Sequence, residues 1–284
     1  MEHPLPYAVN CSILFAELPL LARPAAARAA GFDAVEFWWP FETAVPADSD
    51  VDRFIRAIRD AGVELSGLNF AAGDMPGGDR GLVSLPDRQR EFRYSVAIAT
   101  EIGAQLDVPL YNALYGNRLP GTDPAEQDDV AMENLALAAQ TVAGIGATVL
   151  VEPLSGAPRY PLTTAADAIT VLDKVRTSTG VGNLGLLADF YHLTANGERA
   201  DEVIATYGDR IGHVQIADCP GRNEPGTGAI DFDRLFHALV TAGYRGRIGL
   251  EYKPLTDTAR AFDWLPREWR ARGNPLHTSH DTLH

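Results

Sequence analysis

Four polar residues stand near the ends of four apolar runs: Glu152 in TVLVEPL, Asp189 in LGLLADFYH, Gln215 in IGHVQIAD and Glu251 in IGLEYKP. The steps between them are 37 (189 − 152), 26 (215 − 189) and 36 (251 − 215) residues. One strand, one helix and two short loops fill about that length. If the runs are neighbouring parallel strands of one barrel, the four side chains converge at its C-terminal mouth. Three carboxylates and an amide oxygen aimed at one spot repel one another unless a cation sits between them. An all-oxygen donor set suits Mg²⁺ or Mn²⁺ better than zinc or copper. The competing reading, structural salt bridges at strand ends, accounts for any one of these residues more easily than for all four together.

Other polar side chains fall near the same face. His192 lies three residues past Asp189, close to the expected mouth, where it could equally be a solvated loop histidine. His213 precedes Gln215 by two residues, so both share one strand face, and His213 is expected one layer deeper as a partner of the site. Arg222 sits in CPGRNEPGTGAIDF, a loop stiffened by proline and glycine, and reads as an anion or carbonyl clamp or as an exposed loop arginine. Lys253, two residues past Glu251, and Arg80, in the long loop after the third strand, are candidates for substrate contact. Glu36, Asn10 and Asn69 end the second, first and third strands and could line the mouth. Phe37, Trp38, Trp39 and Phe41 form an aromatic cluster there, either core packing or a hydrophobic cover over the substrate.

The elements that must position these residues alternate along the chain. Eight strand candidates appear: PYAVNCSIL, FDAVEFWW, VELSGLNF, LDVPLYNAL, ATVLVEPL, NLGLLADF, IGHVQIAD and GRIGLEYKP. Several are continuous apolar runs, as in strands covered on both faces. Helical patterns lie between them: LPLLARPAAARAA (with Pro24 as a break or a start), DSDVDRFIRAIRDAG, PDRQREFRYSVAIATEIG expected to stop at its final glycine, DPAEQDDVAMENLALAAQTVAGIG, TTAADAITVLDKVRTS with threonine caps, ERADEVIATYGDR and DFDRLFHALVTAGY. Eight alternations suit a (β/α)8 barrel or a doubly wound sheet. The first turn, NCSILFAELPL, lacks the glycines of a dinucleotide-binding turn, which favours the barrel. The expected organisation is one catalytic barrel over residues 1–265 and a polar tail over 266–284.

Composition narrows the partners. The 284 residues carry a formal charge of −14, which disfavours nucleic acid and anionic membranes because both need a basic footprint. Cys11 and Cys219 read as free thiols rather than a disulfide framework. No run approaches the ~20 apolar residues of a membrane span, and MEHPLPYAVN does not read as a secretion signal. A cytoplasmic protein is the default expectation.

The motifs AVNCSILF, GFDAVEFWWPF, LNFAAGDMPGGDRGL, PDRQREFR, VEPL, DFYH, HVQIADCPGRNEPGTGAIDF and GLEYKP together resemble the hydroxypyruvate isomerase family, which includes 2-oxo-tetronate isomerases, of the xylose-isomerase-like TIM barrel superfamily. The resemblance covers roughly residues 7–265 and is most specific from Gln215 to Asp231. It implies a metal held by Glu152, Asp189, Gln215 and Glu251, with Glu152 and Glu251 also moving the proton. Related sugar 3-epimerases usually carry histidine where Gln215 stands, so this position favours the hydroxypyruvate branch; DVPLYNALYGNRLPG departs from the family pattern. The implied substrate is a small hydroxy-oxo acid converted through an enediolate. His192 and Arg222 would hold its oxygens, with Arg80 or Lys253 on its carboxylate. A homo-oligomer is a family-level expectation.

Overall fold

The computed structural model describes residues 3–271. Eight parallel strands close into a barrel in chain order: β1 (Tyr7–Asn10), β2 (Ala34–Phe37), β3 (Glu64–Asn69), β4 (Leu110–Asn112), β5 (Thr148–Val151), β6 (Leu184–Asp189), β7 (Ile211–Ile216) and β8 (Ile248–Leu250). The last pairs with the first, Val9 opposite Leu250. Each expected apolar run supplies one strand. The outer layer is α1 (Arg23–Ala29), α2 (Asp48–Ala61), α3 (Gln89–Leu106), α4 (Pro124–Ala143), α5 (Ala165–Thr179), α6 (Phe190–Ala195), α7 (Ala200–Tyr207) and α8 (Phe232–Thr241).

Local chemistry sets the helix ends. Pro24 starts α1 rather than breaking it, because its missing N–H has no partner to lose in a first turn. Thr164 caps α5 in a reciprocal box with Asp167. Gly62 ends α2 with φ 64°, a left-handed stop. The inner face of α2 buries Val51, Phe54, Ile55 and Ile58, each worth roughly 1.5–3 kcal/mol when fully removed from water. Gly103, expected to terminate α3, instead lies inside it, and the helix runs on to a left-handed Asp107. A Cβ at Gly103 would collide with the Tyr111 hydroxyl of β4. The glycine serves helix–strand packing, not helix termination.

Along each strand, side chains alternate between the helices and the barrel interior. Phe37 turns outward onto Phe54, with ring centroids 5.1 Å apart, while Glu36 turns inward. The polar segment expected to begin at residue 266 is partly built into the fold. Arg270 donates to the Ala30 carbonyl at 2.6 Å, accepts from the Tyr7 amide at 3.2 Å and stacks over Phe32 and Phe262. Arg270 thus ties the start of that segment to β1 and to the loop before β2. The rest of that tail, 272–284, lies outside the described residues. No helix among the described residues is long and apolar enough to cross a membrane.

Candidate active site

The C-terminal mouth of the barrel opens into a cavity of ≈ 840 Å³. Glu152 and Glu251, each one residue past its strand, face it from β5 and β8. Both are held the same way. Asn112, the last residue of β4, donates to Glu152 Oε2 at 2.7 Å, and Asn10, the last of β1, donates to Glu251 Oε2 at 2.9 Å. Each glutamate is thus fixed by the asparagine that ends the adjacent strand. Both are buried, 4 % exposed.

Asp189 ends β6 and caps α6. Its Oδ1 accepts from the amides of Tyr191 (2.8 Å) and His192 (3.4 Å). Its Oδ2 is buried without a hydrogen bond. Gln215 is the residue opposite Asp189 in the β6–β7 pairing. Its Nε2 donates to Glu36 Oε2 at 3.0 Å, and its Oε1 is buried without a partner. A buried polar atom left unpaired costs roughly 1–3 kcal/mol. Among the described residues such atoms fall on Glu36, Asn112, Asp189, His213, Gln215 and Arg222, all around this mouth. Native proteins concentrate that cost where a ligand is taken. Glu152 and Asp189 bring carboxylate oxygens close together at the mouth, Gln215 adds a buried unpaired amide oxygen, and both oxygens of Glu251 are engaged, by Asn10 and Arg222; oxygen donors of this kind suit a hard divalent cation.

One ligand atom each from Glu152, Asp189 and His192 also lie within 4.8 Å of one another, but the hydrogen bonds of His192 argue against histidine as a ligand. Its Nδ1 accepts from the Ser155 amide at 3.0 Å, with the Ser155 hydroxyl at 2.7 Å. An amide can only donate, so this network assigns the neutral ring's proton to Nε2. Nε2 stands 3.7 Å from Asp189 Oδ2. Burial pushes the imidazole down to about 4, so it is neutral near pH 7 and presents an N–H to the cavity.

Arg222 brings positive charge. Its Nη2 lies 2.6 Å from Glu251 Oε1 and 3.7 Å from Asp189 Oδ2, and its guanidinium sits 5.4 Å from the Tyr191 ring centre. The loop that carries it is staked by buried Asp218, which accepts from the amides of Cys219, Gly226 and Ile230. Arg222 itself has φ 60°, a left-handed conformation costing roughly 1–2 kcal/mol outside glycine.

Burial raises both glutamates. Glu152 is held well above its usual range by desolvation first, then by the charges of Glu251 and Asp189. Glu251 is pushed up to about 7 by desolvation, with Arg222 pulling the other way and Asp189 and Glu36 adding to the rise.

The remaining predicted residues divide. Asn69, Arg80, His192, Arg222 and Lys253 line the cavity. Arg80 donates to the carbonyls of Met75 and Asp79, and Lys253 is exposed at the rim. Arg88, another wall residue, is tied to Asp79 and Glu91. Trp38, Trp39 and Phe41 form an aromatic wall, whereas Phe37 is core. Glu36 is absent from the wall. It is 3 % exposed inside the barrel, bonded to Gln215 and 2.6 Å from His213 Nε2, a contact not directed as a hydrogen bond. Direct substrate contact, expected of Glu36, does not fit that position. Asn112 and Ser155 went unnoticed in the sequence; strand-end asparagines at Asn10 and Asn69 were the available hint.

The sequence matches the family described as xylose isomerase-like TIM barrel over residues 24–268. A Streptomyces coelicolor protein provisionally named hydroxypyruvate isomerase is 53% identical over 93% of this chain and 97% of its own. The hydroxypyruvate isomerase of Escherichia coli is 34% identical over 92% and 98%. A crystal structure titled as an AP endonuclease of family 2 from Brucella melitensis superposes with a TM-score of 0.82 at 32% identity, over 92% of this chain and 97% of that one. The chain belongs to the xylose isomerase-like TIM barrel family and groups within it with the hydroxypyruvate isomerases.

Proposed function

We propose that this protein is an isomerase that moves a proton between adjacent carbons of a small hydroxy-oxo acid, hydroxypyruvate or a 2-oxo-tetronate. The observation that carries this reading is the pair of buried glutamates, each anchored through one oxygen by a strand-end asparagine and facing one cavity. Similarity to named hydroxypyruvate isomerases supports the same substrate class.

Glu152, Asp189, Gln215 and Glu251 would hold a divalent cation, Mg²⁺ or Mn²⁺. When bound, it would act as a Lewis acid that polarises the substrate carbonyl and acidifies the neighbouring C–H. In hydroxypyruvate one glutamate takes a proton from C3, and the electron pair of that bond passes into an enediolate. The same glutamate or its counterpart returns a proton to C2, while the hydroxyl hydrogen shifts between the two oxygens. The product is tartronate semialdehyde, with no net gain or loss of atoms. Glu152 is suited to abstraction because Asn112 fixes only its Oε2. His192 presents Nε2–H to a substrate oxygen. Arg222 clamps another, released from its contact with Glu251.

Arg80 and Lys253 separate an acid substrate from a neutral sugar. Arg80 is satisfied by carbonyls rather than carboxylates, and no ion pair involves Lys253 among the described residues. Both cations are available to a substrate carboxylate. An endonuclease on this barrel fits poorly with a net charge of −14.

The test is product analysis after Mn²⁺-loaded protein is offered hydroxypyruvate, a 2-oxo-tetronate or fructose, with a chelator control: the aldehyde tartronate semialdehyde from the first, the 3-oxo isomer from the second, the C3 epimer from the third. Chelator-sensitive conversion of an acid supports the reading. Conversion of the neutral ketose alone would replace it with a sugar 3-epimerase.

A further inference from the structure

Gln215 is the one amide in the oxygen set, and an amide can face a cation either way round. A carboxylate ligates through either oxygen, whereas a flipped amide presents N–H₂, which repels a cation. Something must therefore hold Gln215 with Oε1 toward Asp189 and the glutamates.

Glu36 occupies the position to do so. Its Oε2 accepts from Gln215 Nε2 at 3.0 Å. In this contact the amide nitrogen donates and the carboxylate oxygen accepts, so it selects the orientation with nitrogen toward Glu36. The amide is planar, and its Oε1 is buried with no hydrogen-bond partner. The barrel is shaped around this pair. A Cβ on Gly249 would stand 2.7 Å from Glu36 Oε2 and 2.8 Å from Gln215 Cγ, and one on Gly67 would stand 3.4 Å from Glu36 Cγ. Gly249 thus leaves interior space that the Glu36 carboxylate and Gln215 fill. His213 stands on the other side of the carboxylate, Nε2 2.6 Å from Glu36 Oε1. All three side chains are no more than 4 % exposed.

We propose that Glu36 is a positioning residue that sets the rotamer and amide orientation of Gln215, and through it the affinity of the site for a divalent cation. This rests on the cation site proposed above. Partners that orient ligands in this way typically change metal affinity about 10–100-fold.

The test is Mn²⁺ binding, followed by the electron paramagnetic resonance of free Mn²⁺, in a double-mutant cycle. Glu36→Gln preserves length without charge, and Glu36→Asp preserves charge with a shorter arm. Each is made in the wild-type protein and in Gln215→Ala. In the wild-type background both substitutions should weaken Mn²⁺ binding about tenfold or more. In Gln215→Ala the further loss should be at most about twofold, because the residue through which Glu36 acts is gone. Metal-free melting temperatures identify any variant that fails to fold, and the other Glu36 variant then carries the cycle. Equal losses in both backgrounds, or wild-type affinity in Glu36→Asp, would overturn the positioning role. A wild-type protein that binds Mn²⁺ nowhere would instead overturn the cation site itself.

Discussion

Proton competition at Glu251 predicts how cation binding and stability depend on pH. Its carboxyl is raised from 4.5 to about 7 in the folded protein. A folded-state value above the unfolded one means that bound proton stabilises the fold. That contribution is complete below 4.5 and is lost as pH rises through 7. Between pH 5.5 and 8 the loss is about 2 kcal/mol, from RT ln[(1 + 10^(7−pH))/(1 + 10^(4.5−pH))]. His192 runs the opposite way: lowered from 6.5 to about 4 by burial, it returns roughly 1 kcal/mol over the same interval. The metal-free protein should therefore change little from Glu251 and His192 together, with Glu152 adding a fall. A cation that needs Glu251 ionised must displace its proton at pH 5.5 but not at pH 8. The stabilisation by saturating Mn²⁺ should grow by at least about 2 kcal/mol between these values, roughly 3–4 °C in melting temperature for a chain of this size. Calorimetry at pH 5.5, 6.5 and 8 with and without Mn²⁺ measures it. Glu251→Gln should reduce the pH dependence, the remainder coming from Glu152, which is also raised. An Mn²⁺ increment that is constant or shrinks as pH rises would refute the reasoning.

Three further outcomes follow from particular contacts. Asp218→Ala removes the acceptor of three loop amides; hydrogen exchange at Gly226 and Ile230 should quicken at least tenfold, about 1.4 kcal/mol per opening, and KM should rise because Arg222 is no longer held. Arg80→Ala and Lys253→Ala should each raise KM for an acid substrate about tenfold, or 1.4 kcal/mol, with kcat nearly unchanged; steady-state kinetics showing no KM effect would remove them from carboxylate binding. Gly103→Ala forces a methyl against the Tyr111 hydroxyl and should cost about 2 kcal/mol, read as a melting temperature lower by roughly 3–4 °C.

The fold was legible because each strand is a short apolar run with a helical pattern after it, and a parallel barrel needs no more specific signal. Glu152 and Glu251 could be placed at the mouth from the sequence because a charge at the end of such a run has few other uses, and both line the cavity. Their partners were hidden by register. Asn112 meets Glu152 only because β4 and β5 pair Asn112 with Leu150, and β4 is too short for its alternation to reveal a face. Ser155 reaches His192 through a loop contact 37 residues away in sequence. The depth of Glu36 depends on the irregular β2–β3 register at Val35/Glu36 and on interior space left by Gly67 and Gly249. Helix α6 begins at Phe190, the last residue of the segment read as a strand, because the side chain of Asp189 itself caps the helix.

The central claim is that the Glu152 and Glu251 pair transfers a proton. It is tested most directly by NMR of hydroxypyruvate in D₂O with Mn²⁺-loaded wild-type protein and with Glu152→Gln and Glu251→Gln. The account predicts solvent deuterium in the substrate C3 position and product C2 position for the wild type. It predicts exchange slowed about 100-fold or more in at least one glutamine variant, with its melting temperature showing a folded protein. Wild-type exchange in both variants, or product formed with no solvent deuterium at all, would contradict it.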